Sequence, residues 1–331
     1  MKIGKYKIGL KNEPFIIAEM SGNHNQSLSR ALKIVDLVAK TGAHAIKLQT
    51  YTPSSMTLDS ARPEFKIMDK DNLWKGKKLF DLFKIAQTPW EWHEPIMNRA
   101  KQLGLVCFSS PFDNAAVDFL EKLNVPAYKI ASFENNHYPL IEKVASTGKP
   151  MIISTGMATM KEIVETVKVA KNAGCKDLVL LKCTSTYPAM PTNSNILAIP
   201  KLKSAFGCEV GLSDHTLGVG ASIAAIAHGA TVIEKHFTIK RSDGGVDSVF
   251  SMEPAEFKTL VSSAKDAWLS LGKDIIGPTP KEKKSLKFRR SLYAIKDIKK
   301  GEKFDTNNIT VIRPANGLHP RYFKAMIGKK S

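Results

Sequence analysis

Residues 151–183 read MIISTGMATMKEIVETVKVAKNAGCKDLVLLKC. Two short, largely apolar runs at 151–154 and 178–183 flank a segment at 160–173 in which apolar residues recur with the helical period. A strand, a helix and a second strand in this order are typical of a βαβ unit, whose two strands are parallel. This stretch therefore predicts a parallel sheet with a helix packed against it.

The same alternation recurs along most of the chain. Strand-like runs lie at residues 15–19, 45–49, 105–109, 127–131, 151–154, 178–183, 209–213 and 232–236, and helical patterns at residues such as 27–40, 90–103, 114–123, 160–173, 219–228 and 254–271. Eight such strands in one domain-sized segment favour a closed (β/α)8 barrel, the TIM barrel, over an open sheet. We therefore expect residues 1–271 to form this α/β barrel.

The long connection at residues 51–89 interrupts the rhythm. It contains Pro53, Pro63, Gly76 and Pro89. Ordered connections of this length are usually functional, so we expect a lid or rim over the mouth of the barrel.

The pattern changes again after the last barrel helix. Residues 272–286 contain two glycines and two prolines and predict a linker. Residues 287–331 show only short strands and predict a small β-rich module. So short a chain is marginal for an independent core, and we expect it to lean on the barrel or on a partner subunit.

The charge balance is strongly basic. The 331 residues include 49 basic and 31 acidic side chains, a formal net charge of +18. Such a surplus attracts anions of any kind, from nucleic acid to small metabolites. A solvated linker explains the densest basic cluster, at residues 281–290, as well as a nucleic-acid site does, so we expect no nucleic-acid partner.

Composition also bears on where the protein acts. No apolar stretch approaches the roughly 20 residues that a membrane span needs, and the N-terminus lacks the apolar core of a signal peptide. We therefore expect a cytoplasmic protein without a membrane partner. The four cysteines are Cys107, Cys175, Cys183 and Cys208. They lack C-x-x-C spacing, which argues against a zinc ribbon or a disulfide framework.

Polar side chains end nearly every predicted strand, where a (β/α)8 barrel carries its reactive groups. In chain order they are Glu19, Ser21, Asn23 and His24; Lys47 and Gln49; Ser109 and Ser110; Lys129, Ser132 and Glu134; Ser154 and Thr155; Lys182, Thr184, Ser185 and Tyr187; Ser213, Asp214 and His215; and Glu234, Lys235 and His236. Lysines and serines converging on one mouth suit a phosphate or a carboxylate. A Schiff base at Lys129 or Lys182 is the alternative.

Two histidines indicate a metal site. His215 and His236 close adjacent strands, which lie about 4.8 Å apart, so both imidazoles can reach one divalent ion. Two nitrogen ligands with the other positions open fit Lewis-acid catalysis by Mn2+, Co2+ or Mg2+ better than a structural zinc. Alternatively each histidine forms local hydrogen bonds, and His24 is a rival ligand. The glycine-rich loop after the last strand makes Asp247 a candidate substrate ligand.

Taken together, the motifs resemble the sialic acid synthase family over nearly the whole chain. They are Ile17-Ala18-Glu19, Asn23-His24-Asn25, Lys47-Leu48-Gln49-Thr50, Tyr128-Lys129-Ile130-Ala131-Ser132, Ser154-Thr155-Gly156-Met157, Gly211-Leu212-Ser213-Asp214-His215-Thr216 and Glu234-Lys235-His236-Phe237. The resemblance implies a C-terminal antifreeze-like (SAF) module from about Lys287. In the family this module usually continues beyond the equivalent of Gly328-Lys329-Lys330, so a shortened module is expected.

Further motifs resemble the pseudaminic acid branch of this family. They include Leu73-Trp74-Lys75-Gly76, Thr88-Pro89-Trp90-Glu91-Trp92-His93 and Ser132-Phe133-Glu134-Asn135. This branch implies condensation of phosphoenolpyruvate with 2,4-diacetamido-2,4,6-trideoxy-L-altrose and water, with loss of phosphate by C–O cleavage, and a role in flagellin glycosylation. The alternatives are the N-acetylneuraminate and N,N'-diacetyllegionaminate reactions, a Schiff-base aldolase, and a non-enzymatic protein that binds nucleic acid or sugar.

The resemblance also implies roles for single residues. Those implied for phosphoenolpyruvate are Lys47, Ser110, Lys129, Ser132, Ser154, Ser185 and Ser213, with Tyr187 nearby. The sugar would meet Glu19, Gln49, Asp247 and Arg313, the metal would bind His215 and His236, and Glu19 and Glu134 would handle protons. Arg313 would reach the barrel mouth of the other subunit, which implies a domain-swapped homodimer.

Overall fold

A hairpin and a closed parallel barrel form the sheets of the N-terminal part. The hairpin consists of β1 (Lys2–Ile3) and β2 (Tyr6–Lys7), and the barrel consists of β3 (Phe15–Glu19), β4 (Ala45–Thr50), β5 (Val106–Pro111), β6 (Tyr128–Ile130), β7 (Met151–Ser154), β8 (Leu178–Cys183), β9 (Glu209–Asp214) and β10 (Val232–His236). Neighbouring strands pair in chain order, and β10 pairs with β3 to close the ring. The predicted (β/α)8 barrel is confirmed, and the strand ends differ from the prediction by no more than two residues.

The computed structural model describes residues 1–70 and 72–331. These residues divide into two compact units, Met1–Gly272 and Lys273–Ser331. The second unit therefore begins inside the segment 272–286 that the sequence predicts as a linker.

Helices fill most of the connections. They are α1 (Leu28–Thr41), α2 (Pro53–Met56), α3 (Leu79–Ala86), α4 (His93–Gln102), α5 (Asn114–Lys122), α6 (Tyr138–Ser146), α7 (Met160–Asn172), α8 (Ala198–Phe206), α9 (Gly220–Ala227), α10 (Pro254–Ser270) and α11 (Phe323–Met326). Local chemistry fixes their ends. The side chain of Ser27 caps α1 by accepting a hydrogen bond from the Arg30 amide, and Gly42 ends it at φ 86°, a left-handed conformation that glycine adopts readily. None of the helices in the described ranges is long and apolar enough to cross a membrane.

The N-terminal hairpin covers the amino ends of the barrel strands, a feature that the sequence did not predict. Ile3 is fully buried, and the Tyr6 ring lies 5.5 Å from the ring of Phe15, the first residue of β3. A Cβ atom on Gly4 would lie 2.8 Å from the side chain of Val106, the first residue of β5. The lysine and isoleucine alternation of the N-terminus thus places its isoleucines inside and its lysines outside.

The connection at residues 51–89, hereafter the lid segment, carries α2 and α3 and contributes side chains to the cavity at the barrel mouth. The Gln26 amide, in the loop after β3, donates hydrogen bonds to the carbonyls of Ile85 (3.0 Å) and Gln87 (2.8 Å). These contacts hold the end of the lid segment against the barrel, as expected for a lid or rim.

The second unit is small and β-rich, as expected. Its antiparallel pair consists of β11 (Ser291–Ala294) and β12 (Ile309–Ile312), and α11 follows near the end of the chain. Leu292 and Ile309 are its buried apolar residues among those described. Arg313 follows β12 directly and is exposed.

Candidate active site

A cavity of about 680 Å³ lies at the carboxyl ends of the barrel strands. Successive residues of a strand face opposite sides of the sheet, which decides which side chains reach the cavity. On β10, Glu234 and His236 line the cavity whereas Lys235 does not, and on β9 Ser213 lines it whereas Asp214 does not. At each strand end, therefore, only every second side chain points into the cavity.

Four buried charged side chains form the floor of this cavity. Lys47 forms an ion pair with Glu19, and Lys129 donates a hydrogen bond to Glu234 Oε1 at 3.2 Å. Lys47 also lies 3.8 Å from Glu234 Oε1 and donates to Ser110 Oγ at 3.2 Å. Two positive and two negative charges offset one another, which is the condition under which charges are tolerated in a barrel interior.

The two floor carboxyls differ in their pKa. Burial raises the pKa of Glu234, but Lys129 and Lys47 more than offset this effect, so its pKa is lowered and it stays ionised. Burial raises the pKa of Glu19 to about 7, because Lys47 and, less strongly, Lys129 offset only part of the shift and the charge of Glu234 adds to it. Glu19 is therefore the floor carboxyl that can change its charge near neutral pH.

Serine hydroxyls surround this floor. Ser132, Ser154, Ser185 and Ser213 all line the cavity. The Ser154 hydroxyl is buried and has no hydrogen-bond partner among the described residues, which leaves it free for a ligand. A Cβ atom on Gly156 would lie 2.2 Å from Ser185 Oγ and 2.6 Å from Ser132 Oγ, so only glycine fits beside these hydroxyls.

The rings of His215 and His236 have their centroids 5.3 Å apart. His215 Nδ1 donates a 3.0 Å hydrogen bond to the Thr184 carbonyl. Burial lowers the pKa of His215, but the neighbouring Cys183 more than offsets this and the pKa is raised. Burial and the nearby positive charge of His215 hold the pKa of His236 well below its usual range, so its ring is neutral.

Several observations test whether these histidines fit a metal ion. His236 Nδ1 is buried, has no hydrogen-bond partner among the described residues, and lies 3.8 Å from Asp247 Oδ2, beyond hydrogen-bond distance. No group of three or more His, Cys, Asp or Glu side chains in residues 1–70 and 72–331 could hold an ion. The residues fit an ion with two protein ligands and its remaining positions open to water or substrate.

The polar groups predicted for the sugar lie next to the floor and the histidines. Gln49 Nε2 donates to Glu19 Oε1 at 3.1 Å and to Ser21 Oγ at 3.3 Å, and the Ser21 hydroxyl donates to Asp247. Glu134 lines the same cavity, and its Oε2 is buried without a hydrogen-bond partner among the described residues. Burial raises the pKa of Glu134 to about 7, so this carboxyl can give or take a proton near neutrality.

The structure brings together all the predicted site residues except two. Those lining the cavity are Glu19, Lys47, Gln49, Lys129, Ser132, Glu134, Ser154, Ser185, Tyr187, Ser213, His215, His236 and Asp247. Ser110 lies beside them through its hydrogen bond with Lys47. Arg313 belongs to the second unit, and its place in a partner's barrel mouth stays a prediction.

The positions of Lys182 and His24 rule out two of the predicted alternatives, a Schiff base at Lys182 and a metal ligand at His24. Lys182 does not line the cavity, because it lies on the outer face of β8 and its Nζ donates to the carbonyl of Cys183 and the hydroxyl of Thr184. His24 is buried elsewhere, with Nε2 3.2 Å from Thr88 Oγ1. Neither residue can serve as the Schiff-base lysine or the rival metal ligand.

Three of the cavity residues that were assigned no role in the predicted site lie close to residues that were. Glu234 lies two residues before His236 on the same face of β10, so alternation could have identified it. Cys183 likewise precedes Ser185 by two and lies 3.9 Å from His215 Nδ1. Trp74 belongs to the lid segment and reaches the cavity through a long-range contact that no local pattern reveals.

A further buried ion pair, Asp214–Lys235, lies on the outer face of β9 and β10. Asp214 accepts hydrogen bonds from Lys235 Nζ (2.7 Å), Ser222 Oγ (2.7 Å) and the amide of Thr216 (2.8 Å). Lys235 also donates to the Thr216 carbonyl at 2.6 Å. Because Asp214 and Lys235 directly precede His215 and His236, this network fixes the backbone from which both imidazoles project.

The chain matches known protein families over most of its length. The model of the NeuB family matches residues 34–275 and that of the SAF domain matches residues 289–331. The chain is 46% identical over 331 residues to a pseudaminic acid synthase of Campylobacter jejuni subsp. jejuni serotype O:2, covering 100% of this chain and 95% of that protein. It is 44% identical over 320 residues to a pseudaminic acid synthase of Helicobacter pylori, covering 96% and 93%.

A solved structure has the same architecture. The N-acetylneuraminic acid (sialic acid) synthetase of Leptospira borgpetersenii serovar Hardjo-bovis, in complex with citrate, superposes with a TM-score of 0.77 at 31% identity. The match covers 87% of this chain and 95% of that one.

The Asp214→Ala variant should lose about 3–5 kcal/mol of unfolding free energy, because it leaves the Lys235 ammonium buried without its partner. Urea unfolding followed by circular dichroism measures the loss. The matched control is Asp118→Ala, which breaks the exposed Asp118–Lys143 pair and should cost about 1 kcal/mol or less. Equal losses in the two variants would contradict a structural role for the buried pair.

Proposed function

Because the chain belongs to the NeuB family, we propose that it condenses phosphoenolpyruvate with 2,4-diacetamido-2,4,6-trideoxy-L-altrose and water, releasing pseudaminic acid and phosphate by C–O cleavage. Identity of 44–46% with pseudaminic acid synthases along nearly their whole length supports this choice of sugar. The observation that carries the chemistry is the pair of buried lysines, Lys47 and Lys129, with serine hydroxyls around them, of which that of Ser154 has no hydrogen-bond partner among the described residues.

The floor is suited to phosphoenolpyruvate. Lys47 and Lys129 would act as fixed positive charges for its phosphate and carboxylate, with hydroxyls such as that of Ser154 as short donors. Glu234 keeps Lys129 in place before the substrate arrives, and Glu19 does so for Lys47. The anion therefore meets a site that is already organised, which lowers the cost of binding.

The second substrate would enter above this floor. Asp247 and Gln49 would hold its polar groups so that the aldehyde carbon faces carbon 3 of phosphoenolpyruvate. We propose that His215 and His236 hold a divalent ion, Mn2+, Co2+ or Mg2+, through their free ring nitrogens. When bound, such an ion supplies Lewis-acid polarisation of the aldehyde oxygen.

Glu134 is the better candidate for the proton step. After carbon 3 attacks the aldehyde, positive charge develops at carbon 2 and water adds there, which requires a base. Glu134 Oε2 has no hydrogen-bond partner among the described residues, whereas Glu19 is held by Lys47. Glu134 would therefore accept the proton of the attacking water before the tetrahedral intermediate expels phosphate.

Two further parts of the proposal rest on the family resemblance. We propose a homodimer in which Arg313 of each subunit completes the sugar site of the other. Arg313 is exposed directly after β12, so its guanidinium is available for such a contact. We also propose that the enzyme acts in the cytoplasm.

The proposed reaction predicts phosphate release from phosphoenolpyruvate with Mn2+ only when the trideoxy-altrose sugar is present, and none in a chelator. N-acetylmannosamine and the legionaminic precursor are the comparison sugars. The control variant His236→Ala should release no phosphate while keeping the wild-type circular dichroism spectrum. Phosphate release with a comparison sugar instead would mean that the enzyme has the same chemistry but a different sugar substrate. Release with none of the sugars would contradict the proposal.

The role of Glu134 predicts how activity depends on pH. The carboxylate must be ionised to accept a proton, and burial raises its pKa to about 7 against the opposing charges of Lys129 and Lys47. The kcat/KM should therefore rise with pH through an apparent pKa near 7 and level off above it. The Glu134→Gln variant should lose most of its activity, and the kcat/KM that remains should no longer rise with pH near 7. If kcat/KM of Glu134→Gln still rises with pH near 7, another group is the base.

A further inference from the structure

The cavity has two walls of opposite chemistry. The barrel side carries the charged and hydroxyl groups described above. The lid segment contributes Met56, Ile67, Trp74, Leu79, Leu82 and Phe83 to the lining. A substrate lying between the two sides therefore meets hydrogen-bonding groups below and hydrocarbon above.

Asn72 and Tyr51, which line the cavity, each use a polar side-chain atom in a hydrogen bond within the lid segment. Asn72 Oδ1 accepts a hydrogen bond from the Trp74 amide at 3.0 Å, and the Tyr51 hydroxyl donates to the Phe83 carbonyl at 3.4 Å. Toward the cavity, the described part of the lid segment thus offers mainly apolar surface.

Trp74 lies where this apolar wall meets the sugar side of the cavity. Its indole Nε1 donates a 3.0 Å hydrogen bond to the Val246 carbonyl, one residue before Asp247. Its ring lies 5.9 Å from the ring of Tyr187, which lines the same cavity. Because the one polar atom of the side chain is already hydrogen-bonded to Val246, the rest of the ring meets a ligand as hydrocarbon.

This arrangement divides the cavity between the two substrates. The floor lysines attract the anionic substrate, which leaves the space between floor and lid segment for the sugar. An apolar wall stabilises methyl groups that it buries, and it disfavours a hydroxyl because it offers no hydrogen-bond partner in place of water. The wall therefore suits a sugar with acetamido methyl groups and a deoxygenated carbon 6.

We propose that the apolar wall of the lid segment is a subsite for the methyl groups of the amino sugar, with Trp74 as its specificity-determining residue. The proposal rests on the proposed function and deepens it, since it names the part of the sugar that the lid segment recognises. It assigns selection against sugars with a 6-hydroxyl to the lid segment rather than to the barrel strands.

The test measures binding without turnover. The probes are the alditol of 2,4-diacetamido-2,4,6-trideoxy-L-altrose, which has no aldehyde and cannot react, and its 6-hydroxy counterpart. Calorimetry gives the dissociation constants of both for the wild type, Trp74→Ala and Trp74→Phe. The matched control is Lys75→Ala, an exposed neighbour in the same segment. The dissociation constant of phosphoenolpyruvate is measured for each protein as well.

In the wild type the 6-deoxy alditol should bind about tenfold more tightly than the 6-hydroxy alditol. Trp74→Ala should lose most of this preference, Trp74→Phe should keep most of it, and Lys75→Ala should match the wild type. Affinity for phosphoenolpyruvate should change by less than about twofold, because the floor is untouched.

Three results would overturn the subsite. One is equal binding of both alditols by the wild type. Another is an unchanged preference in Trp74→Ala. The third is an equal loss of affinity for both alditols and for phosphoenolpyruvate, which would mean that Trp74 only holds the lid segment in place. The phosphate-release assay decides the proposed function independently of these binding constants, so the two failures are distinguishable.

Discussion

The rest of the site depends on one constraint, which is that the four charges buried at the base of the cavity must be paired with one another. An unpaired ammonium or carboxylate there would cost several kcal/mol, so Lys47 and Lys129 are tolerated only because Glu19 and Glu234 face them. These four side chains come from β3, β4, β6 and β10, and only a closed parallel barrel brings the ends of those strands together. The pairing also holds the lysine side chains in fixed positions before a substrate arrives.

Because its charges are paired, the floor is neutral overall and carries no net positive charge to offset the negative charge of an anionic substrate. A trianion such as phosphoenolpyruvate adds negative charge next to Glu19 and Glu134, whose pKa values burial has already raised to about 7. The added charge raises these pKa values further. Binding should therefore draw a proton into the site, which Glu19 takes up beside Lys47. A higher pKa also makes the ionised form of Glu134 a stronger base toward the attacking water.

The sequence predicts the barrel and most of the site because both follow short-range rules. Strands alternate with helices and polar residues end the strands, so Lys47, Lys129, His215 and His236 can be assigned to the barrel mouth from their positions in the chain. Glu234 is named among the strand-end side chains but was assigned no role, although the same alternation places it beside His236. Trp74 cannot be assigned to the site from local sequence, because its position depends on a hydrogen bond to Val246, far away in the chain. The length of the connection predicts a lid over the mouth, but which of its side chains enter the cavity is a tertiary property that no local pattern encodes.

The paired floor is tested most directly by calorimetric titration of phosphoenolpyruvate into the enzyme at pH 8, where Glu19 is largely ionised, in two buffers of different ionisation enthalpy. The difference between the two heats gives the number of protons exchanged on binding. We expect net uptake approaching about one proton for each phosphoenolpyruvate bound. A binding heat that does not depend on the buffer would refute the coupling, because the anion would then have been accommodated without any change in the charge of the floor.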